Sequence, residues 1–223
     1  MTDTPRAVLW DMDGVLVLNG DVHYDAWSQT LAEYGLSMSR EQFAATFGMN
    51  NHNILRRLYG GRLPPAQANE IAVRKEVAYR RLVQGRVQAL PGVLRWLAEL
   101  AAAGWRQAVA SSGPMANIAA ILAELGAWDS FDAILSGAHL PQSKPDPALF
   151  VRAAAALGAP PARAVVVEDA PVGVEAARRA GMRCIAVTST VGADALRAAD
   201  LVVDRLDHLP PDAFARLVPE NRG

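Results

Sequence analysis

The chain has 223 residues, 51% apolar and 20% charged, with a formal net charge of −1; this is a globular composition with no electrostatic case for nucleic acid or an anionic membrane. A single cysteine, Cys184, excludes an internal disulfide and a cysteine-based zinc site. No uncharged span is long enough to cross a bilayer and residues 1–6 lack the apolar core of a signal peptide, so a soluble, cytoplasmic protein is expected.

The first predicted element is a short buried strand over 7–10, which ends abruptly in Asp11-Met12-Asp13-Gly14. Buried acids without partners are costly, so Asp11 and Asp13 belong at the strand's exit, in a cleft. Strand alternation points the two acids the same way, and they repel unless a cation or a shared proton lies between them. Magnesium would supply the first and a carboxylic acid engaged in proton transfer the second. Gly14 lets the backbone turn sharply away. A calcium loop is the alternative, but the twelfth position, where such a loop carries glutamate, is Val22.

Residues 21–84 carry almost no strand signal. Ala26, Trp27, Thr30, Leu31 and Tyr34 recur at helical spacing and stop at Gly35. Ser39 is an N-cap candidate for a helix running through Phe43 and Phe47. A third helix is expected over 50–59, and Pro64-Pro65 opens a fourth with Ile71, Val73, Val77, Ala78 and Leu82 on its apolar positions. From Val87 strands and helices alternate. Strands are expected over 107–110, 133–135, 164–167, 184–187 and 201–203, and helices end at Gly104, Gly126, Gly158 and Gly181. Repeated units of this length imply a parallel sheet with helices on both faces, into which the helical stretch is inserted after the first strand.

The residues at the strand ends carry the chemistry. The first strand offers Asp11 and Asp13, and the second leads to Ser111 and Ser112, either a phosphate seat at a helix start or a plain N-cap. The third leads to Lys144, held between Ser143 and Pro145 as either a fixed charge or a solvated surface lysine, and the fourth ends in Glu168-Asp169. The set suits a dianionic phosphoryl group held by Ser and Lys beside a magnesium ion held by Asp.

This constellation resembles the haloacid dehalogenase-like (HAD) superfamily of phosphoryl-transfer enzymes over nearly the whole chain. The motifs are Asp11-Met12-Asp13-Gly14-Val15-Leu16, Ser111, Lys144-Pro145, and Glu168-Asp169 followed by Gly173. His23-Tyr24-Asp25-Ala26-Trp27, Arg74-Lys75 with Tyr79, and Leu90-Pro91-Gly92-Val93 are similar to the β-phosphoglucomutase-like group of phosphatases and mutases. The fold so implied is a doubly wound, Rossmann-like parallel α/β core (1–17 and 88–223) with a helical cap (18–87). By the resemblance, Asp11 is the nucleophile and Asp13 the general acid and base. Magnesium is held by Asp11, the backbone carbonyl of Asp13 and Asp169, with Glu168 close by. Ser111 and Lys144 bind the phosphoryl oxygens, and Gly14, Ser112, His23, Asn51 and Lys75 face the substrate. His23 also has a packing alternative at a helix start, and Lys75 that of a solvated helix lysine. The founding dehalogenases typically lack the second acid, so Asp13 argues for phosphate chemistry.

Two positions depart from the family. Leu18 and Asn19 stand where an acid and a hydroxyl residue are usual, suggesting that Asp13 is not linked to the cap as in the mutases. Asn51 stands where the mutases carry a cap arginine for a second phosphate, with Arg56, Arg57 or Lys75 as substitutes. The expected activity is a magnesium-dependent phosphatase acting on a small organic phosphate, a sugar phosphate, through an aspartyl phosphate. The alternatives are a β-phosphoglucomutase-type phosphomutase and an inactive HAD-fold binding module; the last needs a lost motif residue, and none is lost. The expected partner is the phosphate substrate alone, with the chain a monomer or weak dimer. The cap is expected to move about connections near 15–20 and 83–91 that include Gly20, Gly85 and Gly92.

Overall fold

A parallel sheet in which the chain's first strand lies inside, not at an edge, organises the molecule. The computed structural model describes residues 4–220. Its strands are β1 (Ala7–Trp10), β2 (Arg106–Ser111), β3 (Ala133–Ser136), β4 (Ala164–Glu168), β5 (Arg183–Val187) and β6 (Leu201–Val203), all parallel, in the order β3-β2-β1-β4-β5-β6. The order reverses direction at β1, which pairs with β2 on one side and β4 on the other. Such a switch point opens a crevice at the carboxyl ends of the strands.

The apolar strands follow from burial on both faces. Val8 and Trp10 point into one core with α5 (Val93–Ala102), α6 (Met115–Leu125) and α10 (Ala213–Leu217). Ala7 and Leu9 point into the other, with α7 (Ala148–Ala156), α8 (Pro171–Arg179) and Leu196 of α9 (Ala193–Leu196). The polar atoms that enter the first core are satisfied: the Trp10 indole donates to Gln107 Oε1 at 3.0 Å and the Trp96 indole to the Leu206 carbonyl at 2.8 Å.

Between β1 and α5 the chain forms α1 (Gly20–Ala32), α2 (Arg40–Ala44), α3 (Asn51–Tyr59) and α4 (Pro65–Val83), with a small core of Trp27, Leu31, Met38, Ile54, Leu55 and Ile71. The Ser39 cap forms as a full capping box with Gln42. Asn50 caps α3 and turns its amide to the carbonyls of Gly137 and Leu140, both at 3.1 Å, tying the helical unit to the loop after β3. No helix among the described residues is long and apolar enough to cross a membrane.

Four expectations need correction. α2 stops at Ala44, so Phe47 lies beyond it, in the turn before α3. Val73 is 65% exposed because the inner face of α4 is taken by Ile71, Lys75, Tyr79 and Val83, four residues apart, with Glu76 beside them. A buried lysine and glutamate there shift the inner face away from what apolar periodicity indicates. Gly20 is the first residue of α1 and has no positive φ, unlike Gly85 and Gly92. Neither Ser111 nor Ser112 caps α6, whose N-cap is Pro114.

Gly92, at φ +92°, leads into α5, and an added Cβ would lie 2.4 Å from the Asp207 backbone nitrogen. Gly92→Ala combines left-handed strain with a clash against backbone, and is expected to lower unfolding free energy by about 2–4 kcal/mol. Urea denaturation of the two proteins checks this; an unchanged midpoint would refute it.

Candidate active site

β1 delivers Asp11 to the crevice, and the backbone N–H of Asp11 continues the sheet with a 3.0 Å bond to the Val167 carbonyl. β4, alongside, ends in Glu168 and is followed by Asp169, while β2 ends in Ser111. The loop after β3 brings in Lys144, fully buried rather than solvated; its Nζ donates to Asp11 Oδ1 and Glu168 Oε1, each at 2.5 Å. The second oxygen of Glu168 accepts the backbone N–H groups of Asp169 and Ala170, both at 2.8 Å. Glu168 is thus committed within the protein, and its effect is to fix Lys144 against Asp11. Residue 173 must be glycine, since a Cβ there would lie 1.9 Å from the Glu168 carboxyl carbon. Gly14, at φ +90°, lets the backbone pass so close to Asp169 that a Cβ would lie 2.1 Å from its Oδ2.

Asp11, Glu168 and Asp169 each offer an oxygen within 4.8 Å of one another. Three buried carboxylates face the single ammonium of Lys144, leaving an excess of negative charge that a divalent cation would offset. Burial pushes the Asp11 carboxyl up to about 7, with Glu168 and Asp13 adding to the rise and Lys144 opposing it. Burial likewise raises Asp169 well above the usual carboxylate range, aided by Glu168 and Asp11. The Thr190 hydroxyl donates to Asp169 Oδ2 at 2.6 Å and holds that side chain in place. The donors are all hard oxygens with no thiol or imidazole, so the cluster fits a hard divalent cation such as magnesium.

Asp13, two residues on, has a different environment. Burial disfavours its charge, but His23, Asn19 and Lys75 outweigh that and hold the carboxyl below its usual range. Asn19 Nδ2 donates to Asp13 Oδ1 and lies equally close to the Tyr79 hydroxyl, each at 2.5 Å. His23 Nε2 lies 3.4 Å from Asp13 Oδ1, and its Nδ1 lies 2.8 Å from Lys75 Nζ. An ammonium only donates, so Nδ1 accepts and the ring proton sits on Nε2, toward Asp13. The His23 ring stacks on Tyr79 at 3.9 Å, and Lys75 Nζ lies over Trp27 and Tyr79 at 5.3 and 5.4 Å. Lys75 is therefore an enclosed charge, not a solvated one.

The remaining residues split between holding and lining. Ser111 is buried and its Oγ accepts the Gly113 N–H at 3.0 Å. Ser112 donates to the Gly48 carbonyl at 2.7 Å and so joins the sheet ends to the helical unit. Asn51 donates to Glu76 Oε1 at 2.6 Å. Asp11, Asp13, His23, Asn51, Lys75 and Ser112 border one cavity of about 50 Å³. Ligand pockets usually hold several hundred cubic ångströms, so the helical unit sits closed on the sheet.

The sequence pattern did not point to Glu76, Ser189 or Thr190. Asn19, expected to stand outside the mutase-type link, connects Asp13 to Tyr79 of α4 through its amide. Ser189 and Thr190 follow the end of β5, where the strand-end rule would have found them; Ser189 donates to the Gly14 carbonyl. Glu76 carries no local signal, since an acid in mid-helix ordinarily faces water.

Residues 5–181 match the family model for haloacid dehalogenase-like hydrolases. The chain belongs to that family. Over 92% of its length it is 30% identical to β-phosphoglucomutase of Bacillus subtilis, covering 91% of that protein. It is also 31% identical to fructose-1-phosphate phosphatase YqaB of Escherichia coli, over 84% of this chain and 98% of that one. The fold superposes on that of β-phosphoglucomutase from Clostridium difficile with a TM-score of 0.88, at 24% identity and 96% coverage of both chains. This HAD-like hydrolase is an enzyme with phosphoric monoester hydrolases among its relatives.

The raised Asp11 carboxyl has a consequence for cation binding. Below about 7 it holds a proton that the ion must displace, and above that it does not. Magnesium affinity is expected to climb by about tenfold or more per pH unit below that point, since Asp169 is raised as well. Calorimetric titration from pH 5.5 to 8.5 checks this; a flat profile would contradict it.

Proposed function

We propose that this HAD-like hydrolase is a magnesium-dependent phosphatase acting on a small organic phosphate, a sugar phosphate, through an aspartyl phosphate on Asp11. The observation that carries this reading is Asp11 at the switch point of the sheet, held by Lys144 at 2.5 Å within a cluster of three buried carboxylates. Asp11 and Asp169, with the backbone carbonyl of Asp13, are the groups that would hold magnesium, and Glu168, engaged by Lys144 and backbone amides, would lie beside the ion. When bound, the ion offsets the negative charge that otherwise keeps a carboxylate and a phosphate apart.

Lys144 neutralises Asp11 from one side and orients its carboxylate toward the incoming phosphorus. Ser111, at the end of the neighbouring strand, holds a phosphoryl oxygen. A carboxylate oxygen of Asp11 forms the new O–P bond while the ester O–P bond breaks, and Asp13 gives its proton to the departing oxygen. Asp13 is held ionised in the structure described, and an arriving phosphate dianion beside it raises its proton affinity toward the acid form needed for this step. Asp13 then takes a proton from water as that water attacks the phosphoryl group and frees Asp11.

Hydrolysis is favoured over phosphate movement within the substrate by the surroundings of Asn51 and of the cap cations beside it. Asn51 is turned to Glu76, and Arg56 to Asn53 Oδ1 at 2.5 Å. Arg57 is exposed, and Lys75 is engaged by His23 and Glu76. Arg80 is engaged by Asn117, and the position where a mutase carries its gripping arginine holds the neutral amide of Asn51. The phosphatase relative named above, not the mutase, is the better guide to the chemistry.

Three outcomes are expected. Asp11→Asn keeps the side chain's volume but removes the nucleophile, so hydrolysis of sugar and aryl phosphates falls about ten-thousandfold or more; a carefully purified mutant that still turns over would sink the assignment. With β-glucose 1-phosphate, magnesium and a trace of the 1,6-bisphosphate, the wild-type enzyme releases phosphate faster than it accumulates glucose 6-phosphate, and the reverse would make it a mutase. Because the closed cavity is about 50 Å³, the helical unit must lift to admit substrate. Small-angle scattering should then show a more open shape in magnesium alone than with a bound phosphate analogue, and identical profiles would refute the motion.

A further inference from the structure

Glu76 is a buried acid on the cap side of the site that the mechanism above does not use. It borders the cavity that Asp11 and Asp13 also line. We propose that Glu76 is a specificity-determining residue. It selects monophosphates whose end remote from the phosphate carries hydrogen-bond donors, such as the hydroxyls of a polyol, and rejects a second phosphate or carboxylate there. The proposal rests on the phosphatase reading and names the substrate class of the same site.

Three neighbours fix the carboxylate. Lys75 Nζ and Asn51 Nδ2 donate to Oε1 at 2.9 and 2.6 Å, and Asn117 Nδ2, on α6, donates to Oε2 at 2.5 Å. Arg80, the remaining cation nearby, is one bond further out, on Asn117 Oδ1 at 2.8 Å. Burial disfavours the charge, but Lys75, His23 and the hydrogen bonds from Lys75 and Asn51 hold the group below the ordinary glutamate range, so it stays ionised. A carboxylate accepts about four hydrogen bonds. Three are met by protein, and the acceptor capacity that remains suits a hydroxyl or an ammonium and nothing anionic.

Lys75 does not offset this preference. Its ammonium is already shared between His23 and Glu76 and so is not free to receive an anion. A second phosphate could recruit Lys75 only by pulling it from Glu76, which would leave a buried carboxylate without its counter-ion, a costly exchange. Glu76 also stands, with Asn51 and Ser112, between the small inner cavity and an outer groove of about 760 Å³. The remote end of a substrate too large for the inner cavity runs past Glu76 into that groove.

The test separates binding from turnover. In the Asp11→Asn background with magnesium, calorimetry measures the affinities of matched pairs. These are glucose 1-phosphate against the 1,6-bisphosphate, fructose 1-phosphate against its 1,6-bisphosphate, and ribulose 5-phosphate against its 1,5-bisphosphate. At least one monophosphate is expected to bind tighter than its bisphosphate by about tenfold or more. Adding Glu76→Gln, which keeps the shape and removes the charge, should shrink that ratio by about tenfold, chiefly by strengthening the bisphosphate. Should Glu76→Gln not fold, Asn51→Arg, which sets a guanidinium beside the intact carboxylate, should move the ratio the same way. The inference is overturned if no monophosphate outbinds its partner, or if the ratio is unmoved by whichever variant folds. Loss of the phosphatase reading shows separately, as absence of hydrolysis by the wild-type enzyme of any phosphate, while the binding ratios still report on Glu76.

Discussion

Three carboxylates crowded around one buried ammonium form the constraint on which the rest of this structure depends. Asp11, Glu168 and Asp169 converge because β1 and β4 are neighbours in register, so that their carboxyl ends finish side by side. Lys144 relieves part of the repulsion, with 2.5 Å bonds to two of the three. The surroundings are shaped to keep it there: backbone amides hold Glu168, and Gly173 makes room for its carboxyl group. A cluster this charged is expensive to bury unless it does chemistry on another charged group.

Asp13 shows how one short motif places two acids in opposite surroundings. It lies two residues from Asp11, yet burial drives Asp11 upward while His23, Asn19 and Lys75 draw Asp13 downward. Pairs of acids whose surroundings push them apart are the usual way to assign a nucleophile and a proton carrier. All three groups that act on Asp13 belong to α1, α4 and the turn before α1, so the electrostatics of the core acid are set by the helical unit above it. The same helix that supplies Lys75 supplies Glu76, so one element borders both Asp13 and the outer groove.

The helical unit is joined to the sheet ends by a few directed bonds: Ser112 to Gly48, Asn50 to Gly137 and Leu140, and Glu76 to Asn117. A handful of hydrogen bonds, each worth about 1 kcal/mol net, is the kind of closure that a substrate can open and remake.

By itself the sequence determined the alternation of strand and helix, the parallel sheet and the core acids, because an apolar run that stops at a carboxylate is a local pattern. Asp11, Glu168 and Asp169 were legible that way, and the Ser39 cap as a hydroxyl before a helical run. Lys144, between two prolines in a loop, read equally as a solvated lysine until the structure buried it. Only the tertiary structure decided what α4 buries. Its inner face carries Lys75 and Glu76 in place of Val73, since the preference for burying apolar groups yields when charged ones find partners on other elements. The same holds for Asn19, whose amide reaches Asp13 and Tyr79, and for Thr190, which holds Asp169 across the crevice. Those roles come from partners as far as 60 positions away along the chain, and no local period carries that information.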